Sequence, residues 1–239
     1  MGGLFNTVNA GKKSLTVDLS NPEGLALVKS LIKPADIVVN NFRPDALERM
    51  GLGYEVLKAL KEDIILLNMP GAHRFGPWAQ RPSMGNILMA ASGFNMLSGF
   101  EGERPRGIGV AYPDFTSPHL LVATLMAALR QRASSGEGQQ LHLTQLSGVL
   151  SLLGSEWMQY KATGVQPPRN SNRNANYCPH GIYRTEDEVN PETDTWVAIA
   201  VESDVQWRAF CEVIGVPALV NDARFATHDA RKDNENALD

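Results

Sequence analysis

The run Ile64-Ile65-Leu66-Leu67-Asn68-Met69 is almost wholly apolar and too short for a buried helix. An antiparallel strand with one wet face alternates apolar and polar residues. This run does not alternate, so it reads as a strand covered on both sides. Its surroundings repeat the theme. Asn21-Pro22-Glu23-Gly24 opens a helix, with Asn21 at the N-cap, Pro22 at the first helical position, and a stripe of Leu25, Leu27, Val28, Leu31 and Ile32. Asp36-Ile37-Val38-Val39 is a short strand, and Pro44 to Met50 and Tyr54 to Leu60 are helices punctuated by Gly51 and Gly53. Ser14-Leu15-Thr16-Val17-Asp18-Leu19 alternates and is read as a further strand, and Gln140-Leu141-His142-Leu143 as another. Strands alternating with helices predict an α/β fold with a doubly wound, Rossmann-like parallel sheet.

Past Pro70 the texture changes. Residues 70–86 hold three Gly and three Pro and read as a long ordered loop. Helices are expected over Asn86 to Leu97, Pro118 to Gln131 and Leu146 to Lys161, with irregular chain from Gly99 to Pro113. The predicted organisation is a large domain over 1–163, a Pro-, Asn- and Arg-rich linker over 164–178, and a smaller α+β domain over 179–239. In the small domain Thr195 to Val201 is a strand. Val205 to Ile214 is a helix capped by Ser203 or Asp204 and closed by Gly215 and Pro217. The tail from Asn221 to Asp239 is polar and reads as lacking a core of its own. Trp196 and Trp207 read as core of the small domain.

Composition removes several functions. Apolar residues are 43% and charged residues 20%, enough for a packed core. The net charge of −4, from 22 basic and 26 acidic residues, carries no basic stripe, so no nucleic-acid partner is expected. No apolar run approaches the roughly 20 residues of a membrane span, so no membrane partner is expected. Cys178 and Cys211 have neither metal nor disulfide spacing and imply a reducing cytoplasm. No metal is expected, because His73, His119, His142, His180 and His228 are scattered.

Asp114, in Ala111-Tyr112-Pro113-Asp114-Phe115-Thr116-Ser117-Pro118, is a lone carboxylate at the head of the apolar helix. It has two local readings. One is a helix cap, with Thr116 or Ser117 sharing the task. The other is a reactive carboxylate, for which a helix start favours negative charge.

NAGKKSLTVDLSNPEG (9–24), ADIVVNNFRPDALERMGLGYE (35–55), GIGVAYPDFTSPHLLVATLMAALRQR (107–132), GEGQQLHLTQLSGVL (136–150), WVAIAVESDVQWRAFCEVIG (196–215) and DARFATHDARKDN (222–234) follow one another in order. This series resembles the class III coenzyme A-transferase family, which includes formyl-CoA and carnitine-type CoA transferases and the α-methylacyl-CoA racemases. The resemblance implies that Asp114 attacks an acyl-CoA thioester as a nucleophile, and that Asn41, Phe42 and Arg49 help to hold CoA. It gives Lys12 and Lys13 a weaker match to a basic pair. The reading it supports is a CoA-transferase acting on an acyl-CoA and a carboxylic acid acceptor, with the CoA thioester as substrate and no tightly bound cofactor. It also implies an interlocked homodimer. The family's usual Gly/Ala-rich N-terminal unit and C-terminal return are expected to be missing, which makes the chain a central fragment.

Two departures narrow this reading. Family racemases place a His-Asp pair where Met84 and Gly85 stand here, and neither residue moves a proton. Formyl-CoA transferases carry a run of glycines where Asn174 to Gly181 stand, so formate and oxalate are poor substrate choices. The alternatives are an acyl-CoA racemase or isomerase using other acid–base residues, and an inactive CoA-binding fragment.

Overall fold

The structure is a computed structural model that describes residues 2–185 and 195–239. In chain order the first elements are α1 (Gly3–Val8), α2 (Pro22–Ile32), β1 (Ile37–Asn40), α3 (Ala46–Arg49), α4 (Tyr54–Leu60) and β2 (Ile65–Asn68). Next come α5 (Gly85–Ala91), α6 (Phe94–Leu97), α7 (Tyr112–Ser135), β3 (Gln139–His142), α8 (Gln145–Leu152) and α9 (Gly154–Thr163). The remainder is β4 (His180–Arg184), β5 (Trp196–Ala200), α10 (Asp204–Val213), a 3-10 turn (Pro217–Asn221), α11 (His228–Asp233) and α12 (Glu235–Leu238). The chain divides into two compact units, 1–94 with 107–163, and 95–106 with 164–239.

The first unit is built on a parallel sheet ordered β1-β2-β3, with Ile37 opposite Ile65 and Ile65 opposite Gln139. β2 is central, and its side chains alternate between faces. Ile64 and Leu66 join Ile32 of α2, Leu47 of α3, Leu52 of the connection after it and Leu57 of α4 in one core. Ile65 and Leu67 point the other way and are equally buried, on the side where α7 packs beside β2. The uniformly apolar run is therefore an α/β strand covered on both faces. Asn21 caps α2 by accepting the Glu23 N–H at 2.9 Å, with Pro22 at the head of the helix.

Several expectations are corrected. Ser14 to Leu19 forms no strand among the described residues, and Leu15 is 54% exposed. Alternation alone does not make a strand when no neighbouring strand supplies the ladder. The helix expected over 86–97 is two helices, broken at Gly93, whose φ of +84° suits glycine alone. The helix expected over 146–161 is likewise α8 and α9, parted at Leu153.

The second unit contains an antiparallel β4–β5 pair, with His180 opposite Ala200. Its core is Val201, Trp207, Cys211 and Phe225. The polar tail is not without a core, because Phe225 and Leu238 pack into this cluster. Arg231 is fully buried there. Its Nε donates to the Cys178 carbonyl at 2.9 Å, its Nη1 to the Phe225 carbonyl at 3.2 Å, and its Nη2 to Asp204 at 2.8 Å. Trp207 is core, whereas Trp196 is 57% exposed on its strand. Ser203 caps α10 by accepting the Gln206 N–H at 3.3 Å.

Candidate functional site

In open parallel sheets ligands gather beyond the carboxyl ends of the strands. Here β1 and β2 end together. Asn40 Nδ2 donates to Asn68 Oδ1 at 2.6 Å, and the Phe42 N–H returns to Asn40 Oδ1 at 3.2 Å. The chain leaving β1 thus presents Asn41 and Phe42 to a cleft of about 130 Å³, shared with Pro70, Gly71, Arg81 and Ser83. Phe42 is 45% exposed, so it is not a core residue of this unit. Arg49 sits on α3 with its side exposed and does not line that cleft, and neither do Lys12 and Lys13. The structure therefore brings two of the three expected CoA contacts into one place. It also adds Arg81, from the Gly/Pro loop that the sequence marks as irregular.

Asp114 lies elsewhere in the helix than the apolar periodicity places it. α7 begins at Tyr112, so Asp114 is in its first turn. Pro118 lies inside the helix and has no N–H to return to the Asp114 carbonyl. The N-cap position is Ala111, with no side-chain cap. Asp114 does not serve as one: its Oδ1 accepts a hydrogen bond from Gln145 Nε2 at 2.8 Å. Gln145 opens α8 immediately beyond the end of β3, and the carboxylate is exposed.

The other carboxylate oxygen faces Gly85, the first residue of α5. A Cβ on Gly85 would stand 2.5 Å from Asp114 Oδ2 and 2.5 Å from the Ala111 Cβ. Of the two positions where racemases are expected to carry a His-Asp pair, Gly85 thus lies against Asp114. Met84 is 72% exposed, and Gly85 lies under the carboxylate. Beneath Asp114 the helix is sealed by buried Pro113 and Ser117.

Backbone hydrogen bonds tie Asp114's surroundings to the cleft. The Gln145 N–H donates to the Pro70 carbonyl at 3.1 Å, and the Leu146 N–H to the Gly71 carbonyl at 2.9 Å. Pro70 and Gly71 line the cleft that holds Asn41 and Phe42. No local pattern in the sequence marks Gln145. It stands just after a strand end, following Thr144, which caps α8 by accepting the Ser147 N–H at 3.2 Å.

The remaining candidates are quieter. His73 lies in the loop, its Nδ1 accepting the Phe75 N–H at 3.3 Å. Met89 is core. Cys178 is fully buried, and burial pushes its thiol up to about 11, so it is a poor nucleophile. Among the described residues no cluster of His, Cys, Asp and Glu could hold a metal ion, and no helix is long and apolar enough to cross a membrane. A cleft of about 850 Å³ lies in the second unit, bordered by Arg169, Arg173, Lys232 and Tyr183, and contains none of the expected site residues.

A family model described as CoA-transferase family III matches residues 1–239. The chain belongs to CoA-transferase family III. Among its curated relatives, succinyl-CoA–D-citramalate CoA-transferase of Chloroflexus aurantiacus is 36% identical over 95% of this chain and 55% of its own length. Succinate–glutarate CoA-transferase of Agrobacterium fabrum is 34% identical, again over 95% of this chain and 55% of its own length. Among solved structures, a CAIB/BAIF family protein from Brucella suis superimposes with a TM-score of 0.84 at 32% identity, covering 95% of this chain and 58% of that one. The chain therefore spans about half the length of the family III relatives it matches.

Proposed function

We propose that this chain carries the nucleophile and part of the CoA seat of a CoA-transferase, which exchanges CoA between an acyl-CoA thioester and a free carboxylic acid. The observation that carries the reading is Asp114 itself. It is an exposed carboxylate at a helix start that caps nothing, joined through Gln145 to Pro70 of the cleft at the strand ends. The family membership and the CoA-transferase relatives support the same chemistry.

The reaction needs no base, metal or redox partner. One oxygen of Asp114 adds to the thioester carbonyl carbon, the C–S bond breaks, and CoA leaves as thiolate. The product is a mixed anhydride. The thiolate then adds to Cγ of Asp114, the bond from Cγ to the bridging oxygen breaks, and the donor acid departs as its carboxylate. This leaves an aspartyl-CoA thioester. An acceptor carboxylate adds to Cγ and expels the thiolate, giving a second anhydride. Attack of the thiolate on the acceptor carbonyl releases the new acyl-CoA and restores Asp114. One hard exchange becomes a series of easier ones.

Asn41 and Phe42 seat part of the CoA, with Arg49 as a phosphate partner reached from outside the cleft. CoA thioester is the substrate, with no tightly bound cofactor. The protein works as an interlocked homodimer, a reading supported by the exposed Val122 and Met126 of α7 and Trp157 and Met158 of α9. The free, buried cysteines support a cytoplasmic setting. Racemase chemistry is disfavoured because Met84 and Gly85 offer no proton-transfer group beside Asp114.

Trapping tests the nucleophile. After incubation of the full-length protein with acyl-CoA, hydroxylamine or borohydride should leave a modified Asp114 peptide, detected by mass spectrometry. An Asp114→Ala variant with full exchange activity overturns the reading. Deuterium wash-in at the α carbon without an acceptor acid would instead establish an isomerase.

A further inference from the structure

We infer that Gln145 is a catalytic hydrogen-bond donor, stabilising the oxyanion that forms on Oδ1 of Asp114 each time its acyl carbon is attacked. The inference rests on the reading of Asp114 as nucleophile and adds a second residue to it.

The two oxygens of Asp114 are in different surroundings. Oδ1 is held by Gln145 Nε2 at 2.8 Å. Oδ2 receives no hydrogen bond from a described residue and lies over Gly85, where the missing side chain leaves it room. Oδ2 is thus the oxygen free to add to a thioester, and it becomes the bridging oxygen of the anhydride. Oδ1 then remains as the carbonyl oxygen of the anhydride, and later of the aspartyl thioester. When thiolate or acceptor carboxylate adds to Cγ, the carbonyl π pair moves onto Oδ1, and a full negative charge develops there. When the tetrahedral adduct collapses, the pair returns and the leaving group departs from Cγ. The Gln145 N–H is already aimed at the oxygen where the charge appears, so no reorganisation is needed at that moment.

The donor is well placed to keep its aim. Its own N–H is bonded to the Pro70 carbonyl at 3.1 Å, and its predecessor Thr144 is buried and caps α8. A carboxylate, an anhydride carbonyl and an oxyanion are all acceptors only, so the amide presents Nε2 to each of them in turn. The amide is also neutral. A lysine or arginine here would form an ion pair with the resting carboxylate and blunt its attack, whereas an amide strengthens its bond as charge grows.

The test uses Gln145→Leu and the near-isosteric Gln145→Glu in the full-length protein, beside Asp114→Ala. Loss of one such donor should lower kcat by about a hundredfold or more. KM for acyl-CoA should stay within about twofold, because the bond strengthens only in the transition state. The melting temperature should hold, and Asp114 should remain trappable by hydroxylamine, but at the reduced rate. The inference is overturned if Gln145→Leu keeps kcat within about tenfold of the parent, or if kcat falls only together with CoA affinity. An inactive Asp114→Ala with fully active Gln145 variants removes Gln145 alone. An active Asp114→Ala removes the nucleophile and Gln145 together.

Discussion

Gly85 and Asp114 compete for one space: a Cβ on Gly85 would stand 2.5 Å from Asp114 Oδ2. The same Cβ would meet the Ala111 Cβ at 2.5 Å and its Cα at 3.1 Å, so the clash involves backbone as well as a movable carboxylate. Gly85→Ala should therefore cost about 1–3 kcal/mol as an overpacked site. It should also displace Asp114 enough to lower CoA exchange by about a hundredfold. Urea unfolding and steady-state kinetics on the same variant check both. Unchanged activity would mean that the carboxylate works from another position.

Arg231 holds the second unit from inside. Its three hydrogen bonds join α11 to Cys178, Phe225 and Asp204, and its guanidinium lies 5.1 Å from the centre of the Trp207 ring. Arg231→Met keeps the bulk but strands the buried Cys178 and Phe225 carbonyls, while Asp204 stays open to solvent. A loss of about 2–4 kcal/mol is expected, because buried partners are left unsatisfied. Urea unfolding followed by circular dichroism measures it, and a loss below about 1 kcal/mol would show that water replaces the guanidinium.

Both cysteines should be silent in the native protein. Burial raises Cys178 to about 11 and moves Cys211 upward as well. A thiol reagent at pH 8 attacks thiolate, which neither residue supplies in quantity. Native protein should show almost no labelling over minutes, and denatured protein should label at both positions. Rapid native labelling at Cys178 would indicate that the second unit opens easily.

Asp36 ties the start of β1 to the end of α7. A hydrogen bond from Arg132, at 2.9 Å, and the nearby Lys61 charge hold its carboxyl below the ordinary value of 3.8. A carboxyl depressed in the folded state stabilises above that value, and the contribution is lost as pH falls through the folded one. Asp36 is exposed, so the effect is small. The urea midpoint of Asp36→Asn should lie below the parent's at neutral pH, and the two should converge below pH 3.8. A gap that stays constant on acidification would show that the carboxylate charge is not its source, since the Arg132 bond to the Asp36 backbone carbonyl is kept in the variant.

Much of the fold was legible from local pattern. The apolar run at β2 marked a strand covered on both faces, Asn21 and Pro22 marked the start of α2, and Tyr54 to Leu60 is a helix over the expected span. The failures share a cause. Pro118 hid the first turn of α7, because proline normally stops a helix, although here the chain carries it inside one. Ser14 to Leu19 alternates correctly but has no strand to pair with among the described residues. The polar tail reads as unable to pack because Arg231 counts as polar, yet two buried carbonyls and the carboxylate of Asp204 take it into a core.

The site divides in the same way. Sequence alone picked out Asp114 as a carboxylate heading an apolar helix and placed Asn41 and Phe42 at a strand end, since those are properties of neighbouring residues. Tertiary structure decided what the carboxylate does with its two oxygens. Gln145 is 31 residues along the chain from Asp114. Gly85, on its other side, is distinguished by the side chain it lacks. Neither leaves a periodic mark in sequence. The parallel sheet, by ending its strands at one edge, brings these distant segments close enough for hydrogen bonds and sterics to act.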